Sequence, residues 1–167
     1  DTVFVYNGTY YENVIVNKSI DLVGENKNNT IIVANNTVTT INISSNNITI
    51  SGFTIKNSGV ENPGSSQIRR GIHVISSNNT ITNTIIINTN YGGIVLEHAM
   101  HNIIKNNTLR NNGRDGISIG HKDSDNLFRN NLVEGNSRTG VRFRNESEPM
   151  AGHRNRLENN RILNNGG

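Results

Sequence analysis

Short alternations of apolar and polar residues recur along the whole chain, each only three to five residues long. The segment NIIKNNTLRN from Asn102 contains two of them, and GISI from Gly116 contains a third. A period of two residues is typical of β-strands, and no stretch repeats its apolar residues with the 3.6-residue period of a helix. The pattern therefore predicts an all-β protein made of many short strands.

An internal repeat organises these strands. Four segments superpose, with starts 23, 24 and 29 residues apart: NTITNTIIIN from Asn79, NIIKNNTLRN from Asn102, NLFRNNLVEG from Asn126 and NRLENNRILN from Asn155. The elements GIVL, GISI and GVRF follow the first three segments at a fixed distance. Three strands per repeat predict a coil with three faces, and stacked coils form a single-stranded right-handed parallel β-helix. We expect one domain over residues 1–167 with about six to seven coils, in which 1–45 form irregular opening coils and 46–167 form regular repeats.

Asparagine, with 33 residues, is the most unusual feature of the composition. It recurs at two phases of the repeat, where the chain must turn between strands. Asn tolerates a left-handed backbone, and its amide can bond to the amides of the coils above and below. We therefore predict structural Asn ladders at the turns, formed by Asn83, Asn106, Asn130 and Asn159 at one phase and by Asn57, Asn88, Asn111 and Asn164 at the other.

Composition and charge exclude several classes of protein. The chain has no cysteine, which excludes a disulfide framework and thiolate metal sites, and no apolar run reaches membrane-spanning length. Residues 101–167 carry eleven Lys or Arg against seven Asp or Glu, so this half could attract an anionic partner. The basic residues lack interleaved aromatic side chains, so we do not expect a nucleic-acid partner.

Parts of the sequence resemble known β-helix families. The opening YNGTYYENVIVNKSIDLVGEN is similar to the start of NosD-like and related carbohydrate-binding and sugar-hydrolase domains, and the later coils resemble the parallel β-helix repeats of pectate lyases, polysaccharide epimerases and microbial surface proteins. The resemblance covers nearly the whole chain and is specific for the fold rather than for a reaction. It implies an extracellular or cell-surface protein, or a periplasmic one, and nine Asn-x-Ser/Thr sequons agree with export.

The same resemblance places a candidate site on the face of the Gly-Ile-x-Ile strands, where pectate-lyase-like enzymes bind their polymers. Two insertions flank this face, at 58–70 and 145–153, and insertions in repeat proteins often carry binding function. The spacing of the repeat places His98 and His121, in successive coils, directly above one another. The ligand-binding candidates are His73, Glu97, His98, His121, Arg142 and Arg144.

Several chemistries remain open for this face. In a lyase, Arg or His would abstract the proton next to a uronate carboxyl group, whereas a hydrolase would need paired carboxylates among Glu97, Asp123 and Asp125. The weak metal candidates are His98, His121, Asp123 and Asp125, although a polar turn explains the same residues. The sequence assigns no catalytic residue and no cofactor.

We therefore expect an exported cell-surface module that binds carbohydrate or has a structural, assembling role. The alternative is a polysaccharide lyase or hydrolase that acts on an acidic glycan. A polysaccharide or surface glycan is the expected partner. Open coil ends would also allow self-association, or would continue into a longer chain of which this is a part.

Overall fold

The computed structural model describes residues 1–34, 38–58, 69–120, 122–144 and 152–166. Within these residues it contains twenty β-strands and no α-helix. The strands are β1 (Thr2–Val5), β2 (Gly8–Tyr11), β3 (Val14–Val16), β4 (Asp21–Gly24), β5 (Thr30–Val33), β6 (Ile41–Ile43), β7 (Thr49–Ser51), β8 (Thr54–Lys56), β9 (Ile72–Val74), β10 (Thr80–Thr82), β11 (Ile85–Ile87), β12 (Ile94–Leu96), β13 (Ile103–Lys105), β14 (Thr108–Arg110), β15 (Ile117–Ile119), β16 (Leu127–Arg129), β17 (Leu132–Glu134), β18 (Val141–Phe143), β19 (Arg156–Glu158) and β20 (Arg161–Leu163).

The strands form three parallel sheets. Sheet A has the order β1-β4-β7-β10-β13-β16-β19, sheet B the order β2-β5-β8-β11-β14-β17-β20, and sheet C the order β18-β15-β12-β9-β6-β3. Each coil contributes one strand to each sheet, and the described strands make six complete coils and two strands of a seventh. The prediction of a right-handed parallel β-helix with three short strands per coil is confirmed.

The core follows from the alternation within each strand. In sheets A and B the middle residue points inward, as Ile81 and Leu109 do with exposures of 1% and 0%. In sheet C the first and third residues point inward instead, as Ile94 and Leu96 do with exposures of 0%. Each strand of sheet C therefore presents only its middle side chain to the outside, and this row becomes the floor of the candidate site.

Asn ladders occupy the turns, as predicted. One ladder lies in the turns between sheets A and B and joins Thr84, Asn107, Asn131 and Asn160. The backbone N–H of Asn107 donates to Oδ1 of Asn131 over 3.0 Å, and Nδ2 of Asn131 donates to Oδ1 of Asn160 over 2.9 Å. Nδ2 of Asn131 also donates to the carbonyl of Ile104 over 2.8 Å. Two further ladders run through Asn79, Asn102, Asn126 and Asn155 and through Thr89, Asn112, Asn136 and Asn165.

In the ladders through Asn107 and Asn112 the members lie one position after the predicted residues, whereas the ladder through Asn79 was not predicted. The predicted residues all have a positive φ and an exposed side chain, and they make no ladder hydrogen bond in the described structure; they are Asn57, Asn83, Asn88, Asn106, Asn111, Asn130, Asn159 and Asn164. A residue in the left-handed conformation turns its own side chain outward and the next one inward. The ladder position therefore falls on the residue after the predicted Asn, which is Thr84 or Thr89 in the fourth coil and an Asn in the later coils.

Residues 1–45 contribute β1 to β6, which pair in parallel with the later strands of the same sheets. Among the described residues the chain has no helix that is long and apolar enough to cross a membrane.

Candidate functional site

One row of outward side chains lies along sheet C. His73 on β9 is in register with Val95 on β12, Val95 with Ser118 on β15, and Ser118 with Arg142 on β18. Val95 and Ser118 are only 1% exposed, although they point away from the core. Side chains at neighbouring positions therefore cover the middle of this row.

Glu97 is the centre of a charged cluster at the end of β12. Its Oε1 accepts hydrogen bonds from Arg70 Nη2 at 2.7 Å and from Arg144 Nη1 at 3.3 Å, and its Oε2 contacts His73 Nε2 at 2.9 Å. The structure thus brings together three of the predicted residues, His73, Glu97 and Arg144, and adds Arg70. We call these four residues the Glu97 cluster.

Arg144 reaches Glu97 from two coils away because glycine lies between them. A Cβ atom added to Gly120 would stand 2.7 Å from Nε and 3.0 Å from Cβ of Arg144. The guanidinium group also donates through Nη2 to the carbonyl of Leu96 over 2.6 Å. Arg144 is therefore held at both a side chain and a backbone group of the fourth coil.

The cluster keeps Glu97 ionised. The hydrogen bond with His73 is the largest influence, and together with the charges of Arg70, His73 and Arg144 it lowers the pKa of Glu97 to about 2 against the opposing effect of burial. Burial in turn lowers the pKa of Arg70. The other ring nitrogen of His73, Nδ1, lies 3.5 Å from Nη1 of Arg70, so both nitrogens of the ring face cluster members.

Asp123 is a second carboxyl group near the cluster, but its role is local. Its Oδ1 accepts the N–H of Ala99 at 2.8 Å, its Oδ2 accepts the N–H of Gly120 at 2.6 Å, and the residue is 0% exposed. Burial raises the pKa of Asp123 to about 7, although both N–H bonds pull it down. Asp123 therefore fastens the turn that carries Gly120.

The weak metal candidates do not assemble among the described residues. Asp125 lies at the surface and pairs with Arg154 through bonds of 2.7 Å, and His98 is exposed with a φ of 55°. His121, and with it the predicted stacking on His98, lies outside the described residues. No group of three or more His, Cys, Asp or Glu side chains that could hold a metal ion occurs in the described part of the chain.

Arg142 stands apart from the Glu97 cluster. Its Nη1 lies 3.6 Å from Oδ2 of Asp115, and its side chain is 29% exposed. Asp115 itself is 0% exposed, and neither of its carboxyl oxygens has a hydrogen-bond partner among the described residues. The face of sheet C therefore holds two separate charged groups, one at Glu97 and one at Asp115.

A pocket of 340 Å³ adjoins the Glu97 cluster on the side of the second coil. Arg70 and His73 form the wall that it shares with the cluster. Oδ1 of Asn42, which also lines the pocket, is buried without a hydrogen-bond partner in the described structure. The remaining lining residues are Asn13, Val14, Ile15, Val38 and Thr39.

Sequence reasoning missed Arg70, Asp115 and Asn42. Arg70 and Asp115 each directly precede the glycine of a Gly-Ile element, at Gly71 and Gly116. Two charged residues at the same phase of the repeat could have indicated from the sequence that this position contributes to the site. Asn42 lies in an early coil whose alignment with the later repeats is loose, and only the strand register places it beside His73.

Comparisons with known proteins agree with the architecture. The catalytic domain of a GH87 alpha-1,3-glucanase in complex with tetrasaccharides aligns with a TM-score of 0.77 at 17% identity, over 95% of this chain and 34% of that chain. A mannuronan C-5 epimerase A-module from Azotobacter vinelandii gives a TM-score of 0.69 at 16% identity, over 95% and 54%. A pectin methylesterase from Erwinia chrysanthemi gives 0.63 at 14% identity, over 98% and 57%.

At these identities the likeness shows the fold alone, and the chain spans between 26% and 57% of the length of the solved structures that it matches. No curated protein matches the chain. The resemblance of the opening segment to NosD-like domains stays a prediction.

Residues 39–167, which are most of the chain, match the family described as right handed beta helix region. The chain belongs to the right-handed β-helix region family.

Proposed function

We propose that this chain is the glycan-binding module of an exported, cell-surface protein, and that a saccharide binds in the pocket beside Arg70 and His73. The observation that carries the proposal is the pocket of 340 Å³, because its size is typical of a small-ligand site. It combines apolar side chains such as Val14 and Val38 with the unpaired, buried Oδ1 of Asn42. A sugar presents apolar C–H groups and hydroxyl donors that complement both.

The names of the structural neighbours support a glycan ligand. The glucanase structures contain nigerose or tetrasaccharides, and a pectin methylesterase structure contains a hexasaccharide. These proteins have the same fold as this chain, and their ligands are saccharides. The nine sequons of the sequence agree with an exported protein. An exported protein would meet a surface glycan as its partner.

The geometry of the Glu97 cluster favours binding over catalysis. A general base needs a free lone pair near neutral pH, but Glu97 accepts bonds from arginine donors and has a pKa of about 2. Both ring nitrogens of His73 face Glu97 or Arg70. The cluster therefore fits a rigid wall of a binding site better than a set of groups that act as a general base.

A hydrolase is the second candidate, and one observation favours it. Glu97 and Asp123 have pKa values of about 2 and about 7, and such a pair provides one ionised carboxyl group and one that is partly protonated at neutral pH. The burial of Asp123 argues against direct contact with a substrate. Release of reducing sugar or of unsaturated uronate from a polysaccharide panel distinguishes an enzyme from a binding module.

The test of the binding site is calorimetry with neutral and acidic oligosaccharides. We expect His73→Ala and Asn42→Ala to weaken binding about tenfold or more, since the first removes the ring that forms part of the pocket wall and the second removes an unpaired acceptor. Thr49→Ala, on the outer face of sheet A, is the control and should bind like the wild type. Thermal unfolding verifies that each variant is folded. If the wild type binds none of the saccharides at millimolar concentration, the proposal is wrong.

A further inference from the structure

A row of mostly basic residues lies in the turn that leads from sheet B to sheet C. The row contains Arg69, Tyr91, Arg114 and Arg138, one residue from each of four successive coils. The N–H of Tyr91 donates to the carbonyl of Arg69 over 3.1 Å, that of Arg114 to Tyr91 over 2.7 Å, and that of Arg138 to Arg114 over 2.9 Å. Successive members are therefore about 4.8 Å apart along the helix axis. We call these four residues the turn row.

Two members of the turn row, Arg114 and Arg138, reach solvent, and stacking on an aromatic ring holds Arg114 in a defined position. The guanidinium carbon of Arg114 lies 4.4 Å from the centre of the Tyr91 ring, and Arg114 is half-buried. Stacking on an aromatic ring fixes the plane of a guanidinium group and leaves its N–H groups directed outward within that plane. Arg138, in the next coil, is exposed.

Arg142 adds a third cation beside the turn row. Asp115, its ionic partner at 3.6 Å, directly follows Arg114 in the chain, and the carbonyl of Thr139, which follows Arg138, accepts the N–H of Gly116. Asp115 is fully buried and attracts the Arg142 guanidinium group toward the protein, while part of the Arg142 side chain stays in solvent. Arg142 therefore contacts the buried carboxyl group of Asp115, Arg114 precedes Asp115 in the chain, and Arg138 lies one coil beyond Arg114, so three cations stand near one acid.

We propose that Arg114, Arg138 and Arg142 form an anion subsite for the carboxylate or sulfate groups of an acidic polysaccharide. This inference rests on the proposed function, because the same polymer would occupy the pocket at Arg70 with one end. The polymer would run along the helix axis and cross the covered floor of Val95 and Ser118. Planar guanidinium groups bind carboxylate and sulfate through paired, charge-assisted hydrogen bonds.

The geometry favours an acidic glycan over a nucleic acid. Arg114 covers one face of the Tyr91 ring, so the only aromatic side chain of the turn row is already stacked on a protein group. Proteins that bind single strands use exposed aromatic faces for the bases, and that element is missing from the described part of this row. Arg114 and Arg138, two cations one coil spacing apart with Arg142 beside them, instead match a linear polymer with repeated negative charges.

The test uses oligogalacturonates of increasing length, from the disaccharide upwards, and neutral glucan oligosaccharides of equal length. The pocket and Arg138 lie three coil steps apart, so only a ligand that extends about 15 Å can reach both. In the wild type we expect the affinity for the acidic series to rise about tenfold or more once this length is reached. The neutral series should show no such step, and added salt should reduce it.

Arg114→Ala/Arg138→Ala is the test variant, and Lys105→Ala/Arg161→Ala removes the same charge from sheets A and B as a matched control. The test variant should lose the length step and keep its affinity for short ligands, whereas the control should keep both. Arg114→Lys/Arg138→Lys, which keeps the charge but not the planar group, should retain part of the step.

The outcomes separate this subsite from the proposed function. Binding without a length step, or with a step that survives in the test variant, overturns the anion subsite and leaves the pocket intact. A step that is lost in the test variant but insensitive to His73→Ala supports the subsite and contradicts the pocket. Equal competition by single-stranded DNA of the same charge contradicts glycan recognition by the three arginines. Absence of any binding contradicts both proposals.

Discussion

Gly120 is the residue that allows Arg144 to reach Glu97 across an intervening coil. With a methyl group at this position, the Arg144 side chain would have to move, because Nε and Cβ lie 2.7 and 3.0 Å from the added atom. The bonds of Arg144 to Glu97 and to the carbonyl of Leu96 depend on the present path. The missing side chain at Gly120 therefore determines the path by which Arg144 joins the cluster.

We predict that Gly120→Ala lowers the free energy of unfolding by about 1–3 kcal/mol, as overpacking does at other tightly packed positions. Saccharide affinity should fall as well, because Arg144 no longer fixes Glu97. Urea denaturation and calorimetry measure the two effects. Gly8→Ala is the control, since the atoms nearest to its added Cβ belong to the Tyr10 side chain, at 3.3 Å. Unchanged stability and affinity in Gly120→Ala would show that Arg144 is not held by this path.

At the scale of the elements, the later turns between sheets A and B use two neighbouring residues for two different tasks. Asn130, with a φ of 54°, reverses the chain, and Asn131 stacks on Asn107 and Asn160. The exposed Asn130 contributes backbone conformation, whereas Asn131 is 1% exposed and contributes hydrogen bonds. The same division recurs at Asn106 and Asn107 one coil earlier.

The same substitution at these two neighbours should therefore have different consequences. Asn131→Gly leaves the N–H of Asn107 and the carbonyl of Ile104 without their partners, and we expect a loss of about 3 kcal/mol in the free energy of unfolding. Asn130→Gly keeps a residue that readily adopts positive φ, and we expect a change below about 0.5 kcal/mol. Urea denaturation of both variants makes the comparison. Equal losses would mean that the ladder bonds contribute little to stability.

The sequence predicted the coils because strand period and repeat spacing are local properties. It placed the ladder one residue too early, because a run of two asparagines such as Asn106 and Asn107 does not reveal which one has the left-handed backbone. It found His73, Glu97 and Arg144 because they occupy two outward phases of the repeat, two residues apart, His73 at the first and Glu97 and Arg144 at the second. The sequence did not predict Arg70 because its guanidinium group contacts Glu97 in the next coil. Periodicity does not tell which side chains extend from one coil to another.

At the scale of the whole molecule, Glu97 and Asp123 have opposite pKa shifts, and both make stability depend on pH. Glu97 has a pKa of about 2 in the folded chain against an ordinary value of 4.5, so its contribution is present above pH 4.5 and is lost as the pH falls toward 2. Asp123 has a pKa of about 7 against 3.8, so the folded state binds more protons than the unfolded one between these values. Its effect is a loss of stability as the pH rises from 3.8 to 7.

We therefore predict that stability is highest in the mildly acidic range and decreases toward neutral pH. Asp123→Asn should flatten this decrease, because the amide does not titrate. At about pH 4 the variant should be less stable than the wild type, since an amide nitrogen cannot accept the N–H of Gly120, and the difference should shrink toward about pH 8. Urea denaturation at a series of pH values measures both slopes, with Asp125→Asn as the control at a surface carboxylate. If the wild type and Asp123→Asn lose stability in parallel as the pH rises, another group is responsible, and Asp123 is already ionised in the folded chain below neutral pH.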